Sequence, residues 1–300
     1  MHHLCKSQFA KVLEHNPYID KQWLLEADIT DTIKALKSEN FDTVIDLQHN
    51  LRSRRISIAL GISTSRVNKL NLSKWLLVNL KWNRLPDVHI VDRYLATCDQ
   101  FSIENDGNGL DYFLPTDKDK QLQAMHSKYK ITTSYICIAI GAAHQTKQIP
   151  ISKMVEVCDQ FTQIPIILLG GPNDKERGDA VLSTSQHPSI INTAGQLSLV
   201  ESCIVLEKAQ MLMTPDTGLM HVAAALDVPT VSLWGNTVPE FGMYPYRKNL
   251  KSTHHILEVN DLACRPCSKI GYPECPKGHF KCMNDIKTTE IVEKISMFIE

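Results

Sequence analysis

Residues 214–237, TPDTGLMHVAAALDVPTVSLWGNT, constrain this chain more than any other stretch. The apolar MLM just before them, at 211–213, reads as a strand. Asp216 and Thr217 then open a helix with Gly218, and His221 lies one turn on. Thr217 and His221 are four apart, so both project from one face of that helix. The first-turn N–H groups of a helix have no partner within it and sit at the positive end of its dipole. Pro229 next begins the apolar run PTVSLW, closed by Gly235. Strand, turn, helix and strand in this order make a unit of parallel sheet, and its turn is a ready-made diphosphate site.

The same alternation runs through the rest of the C-terminal half. YICIAI (135–140) and PIILLG (165–170) predict strands, with helices from Ile151 to about Phe161 and from about Asp174. A short strand is expected near Ile190 and Ile191, and Ser198 with Glu201 forms a capping box for the following helix. Near-continuous apolar strands separated by helices imply a parallel sheet covered on both faces. Ligands of such sheets sit beyond the carboxyl ends of the strands. The loops after Ile140, Leu169 and Met213 should therefore converge.

The N-terminal half carries fewer signals. TVIDL (43–47) predicts a strand and is followed by the basic helix start NLRSRRISIAL. RVNKL (66–70) predicts a second short strand, and HIVDRYLATCDQF (89–101) a helix. Periodicity breaks at YFLPTDKDK (112–120), where proline and charge interrupt it. The resulting expectation is an α/β chain of two Rossmann-like domains facing across a cleft, 1–114 and 115–300, the second ending in a cysteine-containing tail and a C-terminal helix.

Composition removes other classes. A formal net charge of −1 argues against nucleic acid as a partner. No apolar stretch approaches the ~18 residues of a membrane span, and the first twenty residues lack the apolar core of a signal peptide. Cys5, Cys98, Cys137, Cys158 and Cys203 are scattered singly, the pattern of reduced thiols in a cytoplasmic protein.

With these motifs in place the chain resembles glycosyltransferase family 9, which includes the ADP-heptose:lipopolysaccharide heptosyltransferases. FDTVIDLQHNLRSRRIS resembles the family's first-domain strand and acceptor-side helix, GAAHQTKQIP its phosphate-contact loop, and LLGGPNDKE its second donor loop. TPDTGLMHVAAALDVPTVSLWGNT is similar to its most specific signature, and CRPCSKIGYPECPKGHFKCMNDI to a tail of some members. The resemblance implies a GT-B-type fold. It also implies inverting transfer of a sugar, heptose from ADP-heptose, to a lipopolysaccharide or lipid A core acceptor at the inner membrane face. Peripheral membrane contact and no required cofactor are expected. Family members open with a strand, a Gly-Asp loop and a helix, and an aspartate of that loop is the expected general base. HHLCKSQFAKVLEHNPYID resembles the unit after it, so the N-terminal domain reads as incomplete by roughly 30 or more residues. Asp20, Asp28 and Asp46 do not match the loop's context, and no base is assigned. The alternative is a catalytically impaired, nucleotide-sugar-binding relic. An NAD-dependent oxidoreductase is disfavoured because no GxGxxG follows a strand.

Breaking the anomeric bond leaves new negative charge on a diphosphate, and fixed donors and cations placed there act most strongly in the transition state. Lys147, beyond the 135–140 strand, is the best-placed cation, or else a solvated loop lysine. Thr146 can add a hydroxyl. Asp216, Thr217 and Gly218 form the helix start, with Gly218 permitting close approach. Asp216 can equally be a plain helix cap. His221 can donate to phosphate or be a satisfied core histidine. Glu176, or Asp174, reads either as a ribose contact or as a solvated helix start, and Leu197 as a nucleobase contact or a core leucine. Arg52, Arg54 and Arg55 suit carboxylates or phosphates of an acceptor, or form a solvated face. Cys264, Cys267, Cys275 and Cys282, spaced C-x2-C-x7-C-x6-C near His279, are candidates for a structural zinc. Free thiols and a labile disulfide are the other readings.

Overall fold

The computed structural model describes residues 1–25, 28–247 and 253–299. In the first half, β1 (His2–Cys5) pairs in parallel with β2 (Lys21–Leu24). A second parallel pair joins β3 (Thr43–Asp46) to β4 (Ser63–Arg66). Between and after them run α1 (Ile29–Lys37), α2 (Leu51–Leu60), α3 (Asn71–Leu80) and α4 (Ile90–Leu95). Polar caps start α1 and α2. The Asp28 carboxylate accepts from the Thr30 amide, and Asn50 with Ser53 closes a capping box on α2. Gly61 ends α2 in the left-handed conformation, at φ 70°.

Two expectations shift here. The run RVNKL leaves the sheet at once, and the strand is 63–66 instead. Pairing with β3 ends where Asp46 faces Arg66, and the Asn68 side chain accepts from the Leu70 amide, bending the chain into α3. The helix expected over 89–101 splits into α4 and a 3₁₀ segment, Ala96–Phe101. The Thr97 hydroxyl donates to the Tyr94 carbonyl at that join.

The second half begins with α5 (Lys118–Tyr129) and then alternates. It runs β5 (Ile136–Ala139), α6 (Ile151–Cys158), β6 (Ile166–Leu169), α7 (Lys175–Thr184), β7 (Ile190–Asn192) and α8 (Leu199–Glu207). It continues with β8 (Leu212–Pro215), α9 (Gly218–Ala225), β9 (Thr230–Trp234), β10 (His254–Glu258), α10 (Lys281–Asn284) and α11 (Thr288–Ser296). The six strands form one parallel sheet in the order β10-β9-β8-β5-β6-β7. From β5 the chain winds outward through β6 and β7. It then returns to the other side of β5 and winds outward again through β8, β9 and β10.

Alternate strand residues feed two separate cores. Ile136, Ile138, Ile166 and Leu168 pack on one face with Met154 and Val157 of α6, Val181 of α7, and Ile291 and Ile295 of α11. Cys137, Ala139, Ile167 and Leu169 pack on the other with Leu122 and Met125 of α5, Leu206 of α8 and Ala223 of α9. Coverage of both faces explains why these strands read as continuous apolar runs.

The halves meet along α3 and α4. Leu77 packs with Val238 and Phe241. His89 caps α4, accepting from the Val91 amide at Nδ1 while Nε2 donates to the Tyr244 carbonyl at 2.7 Å. The Ile90 amide donates to the Gly242 carbonyl at 2.7 Å. Among the described residues no helix is long and apolar enough to cross a membrane.

Candidate functional site

The topological switch lies between β5 and β8, and the crevice beyond their carboxyl ends is where such a sheet binds its ligand. Lys147 leaves the end of β5 on a 3₁₀ turn, Gln145–Lys147, and Asp216 follows β8. Their side chains meet there, with Lys147 Nζ 2.6 Å from Asp216 Oδ2 and both groups largely buried. Asp216 also accepts from the Thr237 hydroxyl at 2.8 Å, which draws in the loop after β9. Asp216 is therefore no helix cap. The residue at the cap position of α9 is Thr217, in extended conformation, and its side chain makes no capping hydrogen bond.

The start of α9 is open. A Cβ built on Gly218 would meet no atom within 4 Å, so the space beside the first residue of the helix is open. His221 lies one turn further in. Burial first, and then the charges of His89 and Lys147, hold its imidazole below the usual range despite Asp216 acting the other way. A neutral ring offers one N–H donor at neutral pH. Lys147, Asp216, Thr217, Gly218 and His221 are thus brought to one crevice.

The other expected residues fare differently. The Thr146 hydroxyl meets the tail, donating to the Tyr272 carbonyl at 3.2 Å and accepting from the Tyr272 amide at 2.8 Å. It braces the loop that carries Lys147. Glu176 is exposed on the first turn of α7. Asp174 accepts from the Gly171 amide and fills the space above Gly141, where a Cβ would come within 2.1 Å of its Oδ2. Leu197 packs half-buried against the core on the α8 side of the sheet. Arg52, Arg54 and Arg55 are all exposed at the start of α2.

The three aspartates near the chain start are occupied locally. Asp20 pairs with the terminal amine, and Asp28 caps α1. Asp46 accepts from the Gln48 and His49 amides and the Ser53 hydroxyl.

The cysteine tail is a brace. Arg265 donates from Nε to the Gly235 carbonyl at 2.7 Å and from Nη2 to the Thr237 carbonyl at 2.8 Å, holding the loop after β9. Cys264, Cys267, Cys275 and Cys282 are free thiols, and burial pushes the Cys282 thiol up to about 12. Cys264 Sγ lies 3.9 Å from His279 Nε2. Among the described residues no group of three or more His, Cys, Asp or Glu side chains is placed to hold a metal ion.

Three residues of the site's surroundings are given no role by the sequence reading, although two of them close the 214–237 signature. Thr237 lies in a loop, and its partner is fixed only by the fold. Asn236 is 1% exposed with both amide atoms unpartnered among the described residues. Arg93 sits inside an ordinary-looking helix pattern.

Comparison with known proteins adds a family and a fold. Residues 29–274 match the model of glycosyltransferase family 9 (heptosyltransferase). Lipopolysaccharide heptosyltransferase 2 of Salmonella typhimurium is 39% identical over 79 residues, which is 25% of this chain and 23% of that protein. The aligned stretch thus spans about a quarter of that relative. Lipooligosaccharide heptosyltransferase 2 of Haemophilus influenzae is 26% identical over 281 residues, covering 88% of this chain and 78% of its own. The solved structure of Escherichia coli ADP-heptose lps heptosyltransferase II superposes with a TM-score of 0.73 at 19% identity, covering 99% of this chain and 88% of that one. The likeness shows a GT-B-type α/β fold of Rossmann-like halves.

Proposed function

This chain belongs to glycosyltransferase family 9, and from that premise we propose that it transfers heptose from ADP-heptose to a lipopolysaccharide core sugar with inversion. The supporting observation is the Lys147–Asp216 pair set beside the open start of α9 at the sheet's switch point. Residues 115–300 form the donor side in this reading, and 1–114 the acceptor side. The protein works in the cytoplasm, against the inner membrane face where a lipid-linked acceptor is displayed.

The acceptor oxygen attacks the anomeric carbon from the face opposite the diphosphate. As the new C–O bond forms, the old one breaks and its electron pair goes to the departing phosphate oxygen. The acceptor proton leaves to a base, a role assigned to none of Asp20, Asp28 or Asp46. Lys147 meets the growing charge on the leaving group, held in place beforehand by Asp216. The α9 amides and the Thr217 hydroxyl cradle the diphosphate, and neutral His221 donates a hydrogen bond. A preorganised arrangement of this kind stabilises the transition state more than the ground state. No metal takes part in these steps.

The test is direct. Purified protein is titrated with ADP by calorimetry, then incubated with ADP-heptose and a heptose-deficient lipopolysaccharide, with ADP release and product mass recorded. ADP binding with a heptose-sized mass gain supports the reading. A folded protein that binds no nucleoside diphosphate overturns it.

A further inference from the structure

α3 is apolar on two faces, and this chain covers only one of them. Leu77 packs inward with Val238 and Phe241, beside half-buried Val78. On the outside Leu72 is 72% exposed and Trp75 54%, with Leu80 and Trp82 exposed beyond them. The cysteine tail runs along the helix and widens this face. Lys81 Nζ donates to the Pro266 carbonyl at 2.6 Å at one end, and Lys269 Nζ to Asn71 Oδ1 at 3.4 Å at the other. The second contact brings exposed Ile270 up to the helix start. Charge here has one sign. Between Gly61 and Pro86 stand Arg66, Lys69, Lys74, Lys81 and Arg84 with no aspartate or glutamate, in a chain whose net charge is −1. The Arg84 guanidinium lies 4.2 Å from the centroid of the Trp82 ring. Among the described residues no carboxylate forms an ion pair with Lys69, Lys81, Arg84 or Lys269.

A helix that is apolar all round is one that something covers, and an exposed apolar patch with a polar rim marks a protein or a membrane surface. The chemistry of the rim decides between them. Tryptophan has an apolar ring and a polar N–H, which suits the boundary between acyl chains and headgroups. Lysine and arginine lay their stems along the same boundary and keep the charge in water. The cores of protein–protein interfaces are instead depleted in lysine. A second copy of this chain is a poor cover, because a two-fold contact repeats one patch and would set these cations against themselves. An anionic bilayer satisfies both parts of the surface at once. Its acyl boundary takes the leucines and tryptophans, and its phosphates take the cations.

We propose that the outer face of α3 lies in the headgroup layer of an anionic membrane, with Leu72, Trp75, Leu80 and Trp82 at its centre and Lys69, Lys81, Arg84 and Lys269 around them. The proposal rests on the transferase reading for the choice of membrane, and it seats the acceptor half of the molecule against the bilayer.

The experiment sediments the full chain with vesicles of phosphatidylglycerol and phosphatidylethanolamine, and separately with vesicles of phosphatidylcholine alone, in the absence of ADP. Wild type should bind the anionic vesicles, more weakly as salt rises, and bind phosphatidylcholine at least about tenfold less. The double variant Leu72→Ser, Trp75→Ser should lose about tenfold or more in binding. Lys69→Gln, Arg84→Gln and Lys269→Gln should each cost about fivefold. Bromine-labelled acyl chains should quench less of the tryptophan emission once Trp75→Phe and Trp82→Phe are in place. Melting temperature and ADP affinity, measured on every variant, should stay at the wild-type values because these side chains lie outside the packed core. A folded wild type that binds ADP yet stays in the supernatant with anionic vesicles overturns the docking face and leaves the transferase reading standing. Vesicle binding that survives the double variant overturns it as well, since the protein then adsorbs through another surface. Self-association of wild type that the double variant abolishes, with no vesicle binding, gives the face to a second copy and overturns the proposal. Vesicle binding lost in the double variant, in a protein that binds no nucleoside diphosphate, keeps the face and overturns the transferase reading.

Discussion

Lys147 and Asp216 form an ion pair of 2.6 Å across the seam between β5 and β8, the two strands at which the sheet reverses its winding. One partner is the cation best placed for a diphosphate. The other belongs to the loop that leads into α9. The pair ties the loop after β5 to the loop that leads into α9.

The first prediction concerns that pair. Lys147→Met, Asp216→Asn and the double variant form a cycle read by chemical denaturation. Because both side chains are largely buried, a coupling of about 1–3 kcal/mol is expected. In transfer assays Lys147→Met should lose roughly 2–4 kcal/mol in kcat/KM, the scale of a missing oxyanion donor. Zero coupling together with unchanged kinetics would reduce Lys147 to a loop lysine.

Gly218 supplies a test of the cradle that leaves the fold alone. Its added Cβ meets nothing within 4 Å and no left-handed backbone is required there, so Gly218→Val should barely move the melting temperature. The valine would stand in front of the α9 amides and weaken ADP binding by at least about tenfold, near 1.4 kcal/mol. Equal ADP affinity in the two proteins would show that the diphosphate lies elsewhere.

Thr146→Val separates bracing from ligand contact. The hydroxyl exchanges two hydrogen bonds with the Tyr272 backbone, so its loss should lower the unfolding free energy by about 1–3 kcal/mol. ADP affinity should change only a few-fold. Undiminished stability with a large loss of ADP binding would place the hydroxyl on the ligand instead.

Acid should destabilise the protein before its carboxylates titrate. Burial first, then the charges of Arg247 and His255, push His254 down to about 3, and His221 is also lowered. The unfolded histidine titrates near ~6.5. Between the two values the unfolded chain binds protons that the folded chain refuses, so stability falls as pH drops below ~6.5. Urea denaturation from pH 7.5 to 5 should show that slope, and His254→Gln should flatten it while keeping a donor toward Ser232. A wild-type profile flat over this range would contradict the buried, neutral histidines.

Much of the donor half is legible in the sequence because its signals are local. Continuous apolar runs such as ICIA at 136–139 and IILL at 166–169 require burial on both faces, and the Ser198–Glu201 box marks a helix start by itself. The motif around Asp216 and Gly218 likewise carries its own geometry. The first half reads poorly. NLSKWLLVNL spreads apolar residues around the helix, leaving Leu72, Trp75 and Leu80 exposed, so no stripe distinguishes α3. In β4, STSR is polar and short, and its register depends on β3 rather than on its own pattern.

What the sequence determined alone is the set of parts: a parallel α/β sheet, a helix start suited to a diphosphate, and a lysine beyond a strand. Only the tertiary structure decided which parts touch. Strand order is set by how all the helices pack on both faces, and that order seats β8 against β5 and brings Asp216 to Lys147. The same packing commits Thr146 to Tyr272 and leaves Arg93 with open donors beside Lys74. Contacts between distant segments depend on the balance of burial and hydrogen bonding over the whole molecule, which no local spacing encodes.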